Sequence, residues 1–432
     1  MFLSFYGDDF TGSTDVMEAM SVHGIRTALF TRIPTPGEQS RFEGYDAIGI
    51  AGTSRSQTPE WMDEHLPRHF EWLKHLGARF CHYKVCSTFD SARHAGNIGR
   101  AIEIGRKVFG QQVTPLVVGA PQLKRYTAFG HLFAGYQGET YRIDRHPVMS
   151  RHPVTPMDEA DLRRHLARQT ALPVDLVPLN ALDDLSVDAV IASAQGIVLF
   201  DVLDLATQRQ TGHQLLRLSS RLGPFIAGSS GVNYALVKAL ASSTASFPAL
   251  PKVDRIIAVS GSCSPTTARQ IRFALAHGYT GLHADPLDLA GDHAEASVYR
   301  LSAEAQRLMG EGRSVLVYTA LDPELDRGGP LDAIPGGRHR VGQGLGRIAR
   351  SCIETFGLTR AILAGGDTSS HALGELDVFA LTTRFPLTAT PGSPLCTAAS
   401  NDKTLDGLEI AMKGGQVGGD DYFVALRDGL AP

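Results

Sequence analysis

The chain opens on a short apolar run, Phe2-Leu3-Ser4-Phe5-Tyr6, that ends in Gly7-Asp8-Asp9 and passes through Thr11-Gly12 into the helical spacing of Val16, Met17, Met20 and Val22. The same order of strand, polar loop and helix returns at Arg255-Ile256-Ile257-Ala258-Val259, then Ser260-Gly261-Ser262-Cys263-Ser264, then a helical stretch from Ala268. Apolar runs at 27–30, 47–51, 115–119 and 196–200 read as further strands, with amphipathic stretches between them. Strands alternating with helices bury their faces best in α/β layers. At 432 residues the chain exceeds the size at which one core stops growing, so two α/β domains are expected. The small, polar, proline-containing stretch from Ala241 to Lys252 has linker composition. It divides the chain into residues 1–240, a linker at 241–253, and residues 254–432.

In open α/β sheets ligands bind beyond the carboxyl ends of the strands. Asp8 and Asp9 stand there, placed for a substrate hydroxyl or a metal. Helix capping is the competing reading, but a cap needs one carboxylate and two are present. Three glycine-containing segments of the second half offer anion sites. Ser260, Ser262 and Ser264 present hydroxyls and backbone N–H groups at a helix start. Gly365-Gly366-Asp367-Thr368 follows an apolar run, its glycines admit close backbone approach, and Asp367 could also reach a metal. Lys413-Gly414-Gly415-Gln416 sets a lysine against glycines, as a phosphate contact would. No GxxxxGK[ST] loop or kinase-type GxGxxG is present, and Gly342-Gln343-Gly344-Leu345-Gly346 lacks a preceding strand.

A formal net charge of −4 with 20% charged residues leaves no basic stripe for a phosphate backbone, so nucleic acid is not an expected partner. No run of eighteen apolar residues occurs and no secretory leader pattern opens the chain, so no membrane partner and a cytoplasmic location are expected. Cys81, Cys86, Cys263, Cys352 and Cys396 form no CxxC pair and read as reduced thiols. His65 and His69 share a helical face with no acidic partner at ligand spacing, which reads as a surface helix rather than a metal site. Asp158 to Gln169 opens acidic and continues basic, like a helix aligned with its dipole.

Taken together these segments resemble the four-carbon acid sugar kinase family. The family's "ADD-[LF]-TG" is similar to Gly7-Asp8-Asp9-Phe10-Thr11-Gly12, its "D-[ST]-x-SR" to Thr53-Ser54-Arg55, and its "hPVT" segment to His152-Pro153-Val154-Thr155. Its "GGSGL" turn resembles Ala227-Gly228-Ser229-Ser230-Gly231, and its "LK-[SP]-GNFG" resembles Met412-Lys413-Gly414-Gly415-Gln416-Val417-Gly418. Val259–Ser264 and Gly365–Ser369 are close matches as well. Where many members carry "K-x-DSTLRGN-[VI]-G", this chain has Lys84-Val85-Cys86-Ser87-Thr88-Phe89-Asp90 and, after an insertion, Gly96-Asn97-Ile98-Gly99. Asp90 replaces a cation able to pair with a substrate carboxylate, which alters the tolerated substrates. The variant is similar to the branch assigned to 3-oxo-isoapionate, a branched oxo acid. Arg125 resembles the arginine of the family's "GR-x-T-x-x-G".

The resemblance implies an N-terminal domain binding a small acid sugar, a C-terminal domain binding ATP, and phosphorylation of a hydroxyl in a cleft between them. Phosphoryl transfer is mostly positioning and charge neutralisation. Asp9, with Asp8 as the alternative, is expected to take the hydroxyl proton. Arg55 and Lys84 would hold substrate oxygens, Ser87 and Thr88 would bond hydroxyls, and Arg125 would contact a carboxylate. Ser260, Ser262, Ser264, Gly365, Gly366, Asp367, Thr368, Gly414, Gly415 and Gln416 would line ATP, with Lys413 on its phosphates. Mg²⁺ is the implied metal, its ligands unassigned, and a homodimer stays open. Two other readings of the residues are a metal-dependent lyase or epimerase using Asp8 and Asp9, and a non-catalytic sugar-acid sensor.

Overall fold

The computed structural model describes residues 1–240, 244–321, 328–387 and 390–430. Two compact units divide it, Met1–Ala245 and Ser246–Pro432. Of the expected linker, residues 241–243 lie outside the described residues.

In the first unit the strands are β1 (Leu3–Gly7), β2 (Thr27–Phe30), β3 (Ala47–Ala51), β4 (Phe80–Lys84), β5 (Thr114–Val117), β6 (Arg125–Ala128), β7 (His131–Tyr136), β8 (Glu139–Arg142), β9 (Val174–Val177), β10 (Ile197–Phe200) and β11 (Phe225–Gly228). Eight of them form a parallel array in the order β2-β3-β1-β4-β11-β5-β10-β9, and β6-β7-β8 form a separate antiparallel sheet. The central strands are buried along their whole length, the mark of a parallel sheet covered on both faces. One face packs Tyr6, Tyr83 and Phe70 into the core. The strands expected at 27–30 and 47–51 are found there, while the run at 115–119 pairs over Thr114–Val117.

The stretch 158–169 differs from expectation. Only Leu162–Leu166 is helical, because Asp161 caps that helix and Glu159 turns back to accept the Asp161 N–H. His65 and His69 do lie on a helix, Pro59–His75, each ring nitrogen engaged with the carbonyl one turn earlier.

In the second unit the strands are β12 (Ile257–Ser260), β13 (Tyr279–His283), β14 (Ser314–Tyr318), β15 (Arg360–Ala364), β16 (Val378–Phe385), β17 (Leu395–Ser400) and β18 (Glu409–Lys413). Their order is β13-β14-β12-β15-β18-β17-β16, parallel from β13 to β18 and antiparallel at β17 and β16. Ile256, Ile271, Leu316, Ile362 and Phe423 anchor its core. Among the described residues no helix is long and apolar enough to cross a membrane.

Candidate active site

Parallel register brings the carboxyl ends of neighbouring strands level. Gly7 lies opposite Ala51 on one side and Lys84 on the other, and Lys84 lies opposite Gly228. The segments that follow, Asp8-Asp9, Thr53-Ser54-Arg55 and Val85 to Asp90, therefore meet at one edge of the first unit. The peptide links are tight: Asp8 N–H donates to Lys84 O at 2.9 Å, and Arg55 N–H donates to Asp8 O at 3.0 Å.

The two aspartates have separate duties. Asp9 adopts extended backbone ahead of helix Phe10–Val22 and accepts the Gly12 N–H through Oδ1 at 2.7 Å. Its Oδ2 pairs with Arg55 Nη1 at 3.0 Å. It is both the cap and an ion-pair partner. Asp8 is 4% exposed, and its Oδ1 is sealed from solvent without a hydrogen-bond partner among the described residues. Burial pushes the Asp8 carboxyl up to about 7, helped by the Asp9 charge and opposed by Arg55 and Lys84.

Arg55 also reaches across to Asp90, with Nη2 at 3.0 and 2.9 Å from its two carboxylate oxygens. Asp90 is buried and further accepts from the hydroxyls of Thr88 and Thr155, the latter at 3.2 Å. The turn that presents it is strained. Phe89, fully buried, sits at φ 57°, a region bulky residues seldom adopt, and closes the turn with an N–H bond to Cys86 O at 3.0 Å. Thr88 Oγ1 also lies 3.0 Å from Cys86 Sγ, and Ser87 stands partly buried in the same turn.

Lys84 is 2% exposed, and its ammonium makes no hydrogen bond or ion pair among the described residues. Lysines are rarely buried without a hydrogen-bonded partner; the charge of this one acts on the Asp8 carboxyl. It lies against the first helical turn: a Cβ added to Gly12 would come 2.6 Å from Lys84 Nζ and would also collide with Asp9 Oδ1. Arg125, at the start of β6, is within electrostatic reach of Cys86; its Nη1 donates to Leu123 O and Lys124 O at 3.0 and 3.1 Å, while its buried Nε has no hydrogen-bond partner among the described residues. Thus Asp8, Asp9, Arg55, Lys84 and Thr88 are gathered by one sheet edge, with Arg125 reaching it from the small sheet. Asp90 and Thr155 also belong to this cluster, although sequence reasoning assigned neither a site role; a charge reversal within an otherwise recognisable motif was the signal for Asp90.

In the second unit Ser260, Ala364 and Lys413 are level in register, so the three glycine-containing loops emerge side by side. Gly365, at φ 112°, takes a conformation open to glycine and donates its N–H to Lys413 O at 2.9 Å. Gly261 approaches Thr368 so closely that a Cβ there would come 2.5 Å from Thr368 Oγ1. These loops border a cavity of about 310 Å³ lined by Ser262, Thr319, Leu331, Val341, Gly365 and Thr368 among others. Ser264 caps helix Pro265–Ala276 and donates to Gly415 O at 2.5 Å. Lys413 is 1% exposed and lies outside that lining; it donates to Thr267 Oγ1 at 2.9 Å, and burial draws its pKa down to about 8. Gln416 is exposed, and the Asp367 side chain lies outside the described residues. Among the described residues no group of three or more His, Cys, Asp or Glu side chains could hold a metal ion.

Residues 3–236 match the family model described as a sugar-binding N-terminal domain, and residues 257–423 match the one described as a nucleotide-binding C-terminal domain. The chain belongs to the four-carbon acid sugar kinase family. It is a sugar-acid kinase, and the lyase and sensor readings fall away. This kinase is 44% identical to the 3-oxo-isoapionate kinase of Paraburkholderia graminis, over 99% of this chain and 94% of that one. It is 31% identical to the 3-oxo-tetronate kinase of Pseudomonas fluorescens, over 98% of this chain and 96% of the relative. A Salmonella typhimurium LT2 structure described as a putative tRNA synthase shares the fold, with a TM-score of 0.79, 23% identity and 98% coverage of both chains.

Proposed function

We propose that the kinase transfers the γ-phosphoryl group of ATP to a hydroxyl of a small 3-oxo sugar acid, with 3-oxo-isoapionate the first candidate and the four-carbon 3-oxo-tetronates the second. The observation that carries the reading is the sealed Asp8 carboxyl beside an unpartnered, buried Lys84. The similarity to the Paraburkholderia graminis enzyme supports the branched substrate.

In this reading Asp8 is the base and Asp9 its orienting neighbour. Asp9 already accepts one bond on each oxygen, from the Gly12 N–H and from Arg55, which fixes its carboxylate; Asp8, raised to about 7, accepts a proton near neutral pH. The acceptor hydroxyl gives its proton to the Asp8 carboxylate as its oxygen bonds to the γ-phosphorus, the bond to the β-phosphate oxygen breaks, and ADP leaves. Lys84 neutralises substrate oxygens, with Ser87 and Thr88 on hydroxyls and Arg125 on the acid's carboxylate. ATP binds at the Ser262, Gly365 and Gly415 loops of the second unit, and the transfer takes place where acid and nucleotide are brought together.

Mg²⁺ bound with ATP would neutralise phosphate charge. Because it keeps water and phosphate oxygens as most of its ligands, one protein carboxylate suffices, and the part-exposed Asp9 fits that need. An ADP-release assay over a panel of four-carbon and branched five-carbon sugar acids tests the proposal. Turnover with 3-oxo-isoapionate that Asp8→Asn abolishes is the expected result; no stimulation of ATP consumption by any acid overturns it.

A further inference from the structure

Helix Pro265–Ala276 follows the serine loop and turns one polar edge toward the glycine-rich segment after β18. From Ser264, Thr267 and Gln270, spaced three residues apart, side chains bond carbonyls of that segment. Ser264 Oγ and Thr267 Oγ1 both donate to Gly415 O, at 2.5 and 2.9 Å, and Gln270 Nε2 donates to Val417 O at 3.0 Å and Gly419 O at 2.9 Å. Thr267 and Gln270 are fully buried.

Thr267 also accepts a bond from an ammonium. Its oxygen accepts Lys413 Nζ at 2.9 Å while its proton goes to Gly415 O, so one hydroxyl joins the strand end to the loop that leaves it. Lys413 in turn accepts the Gly365 N–H on its carbonyl, and a Cβ on Gly365 would lie 3.2 Å from the Ser262 nitrogen. Three loops thus converge on this contact. A hydroxyl that accepts from an ammonium becomes a stronger donor, and in a site closed to water neither bond has a solvent substitute.

We propose that Thr267 is the positioning residue of the nucleotide site, its hydroxyl holding the Gly414–Gly419 loop and the Lys413 ammonium in the arrangement that receives ATP phosphates. The proposal rests on the reading of the second unit as the ATP site. It concerns preorganisation: glycines leave the loop free to adopt many conformations, and bonds that restrict it remove an ordering cost from binding.

Calorimetric titration of the full chain with ATP, alongside steady-state kinetics, tests this. Thr267→Val keeps the shape and removes both bonds, and should weaken ATP binding about tenfold or more. Thr267→Ser restores the hydroxyl and should return affinity to within about threefold of the parent, with KM for the acid unchanged in both variants. Gln270→Met, which frees the same loop at its far end, should also raise the ATP dissociation constant and carries the test if Thr267→Val folds poorly. Equal ATP affinity in the parent, Thr267→Val and Gln270→Met overturns the proposal alone, as does a serine variant no better than the valine one. A parent chain that binds no ATP overturns the nucleotide reading and this inference with it.

Discussion

Arg55 Nη2 holds both carboxylate oxygens of Asp90, at 3.0 and 2.9 Å, while Nη1 of the same guanidinium holds Asp9. The arginine expected to grip a substrate is therefore balanced by the protein's own anions. Its planar fork fixes the angle between them, which a lysine could not do. This makes Asp90 a determinant of the geometry around Asp9, and leaves Lys84 as the buried cation without a partner among the described residues.

Asp90→Ala should destabilise the chain by about 2 kcal/mol, below the usual cost of breaking a buried pair because the Arg55 side chain is 29% exposed. It also leaves the hydroxyls of Thr88 and Thr155 without their acceptor. Urea denaturation reads the stability, and kcat/KM for the acid should fall as Arg55 loses the anchor that fixes its angle to Asp9. An alanine variant that matches the parent on both counts would show that the contact is incidental.

Asp8→Asn should abolish turnover and stabilise the fold at alkaline pH. The folded carboxyl titrates near 7 against an ordinary value of 3.8, so the folded chain holds its proton more tightly than the unfolded chain. That stabilisation is complete below the unfolded value and is lost as pH rises through about 7, where the buried charge opposes folding. At pH 8 the asparagine variant should be the more stable by on the order of a few kcal/mol, and below pH 4 the two should coincide. In the parent, kcat/KM should rise through about pH 7. Thermal melts across this range that run parallel would refute the burial argument.

Gly12→Ala is expected to separate activity from stability. The added methyl collides with the ends of two side chains, Asp9 and Lys84, and displacing Asp9 Oδ1 loosens its cap bond to the Gly12 N–H at about 1 kcal/mol. Folding free energy should change by less than about 1 kcal/mol, since alanine also favours the helix. Turnover should drop by about a hundredfold or more, because small displacements at a reacting centre are expensive. A variant with full activity would place Lys84 outside the reaction.

The sequence revealed the elements whose signal is local. Strands at 27–30 and 47–51, the carboxylates at the end of β1 and the glycine pair after β15 each announce themselves within a dozen residues. What escaped depends on distance or on ambiguity of side-chain type. Asp90 meets Arg55 and Thr155 through loops, and no period in the chain links those positions. Thr267 and Gln270 sit within an amphipathic helix, where buried polar residues at its register with Ser264 were the available clue. The small β6-β7-β8 sheet lacks continuous apolar runs because its strands are only partly buried. The charge gradient of 158–169 fitted a helix, yet Asp161 caps one inside that stretch and confines it to a single turn and a half.

Gly365 and Gly366 are adjacent and chemically identical, yet their substitution should have different consequences. Gly365 sits at φ 112°, and a Cβ on it would lie 3.2 Å from the Ser262 nitrogen and 3.4 Å from Thr368 Cβ. Alanine there must strain the backbone, at about 1–3 kcal/mol, or move the loop that borders the cavity. Gly366 begins helix Gly366–Gly374 with nothing within 4 Å of its added Cβ, so alanine meets no obstacle and removes backbone freedom from the unfolded chain. Gly365→Ala should raise KM for ATP at least tenfold with KM for the acid unchanged, whereas Gly366→Ala should leave stability level or slightly improved. Steady-state kinetics with each substrate varied in turn, together with melting temperatures, distinguish the two. Equal effects from both variants would mean that it is the exposed face of the loop, rather than the φ of its first residue, that meets the nucleotide.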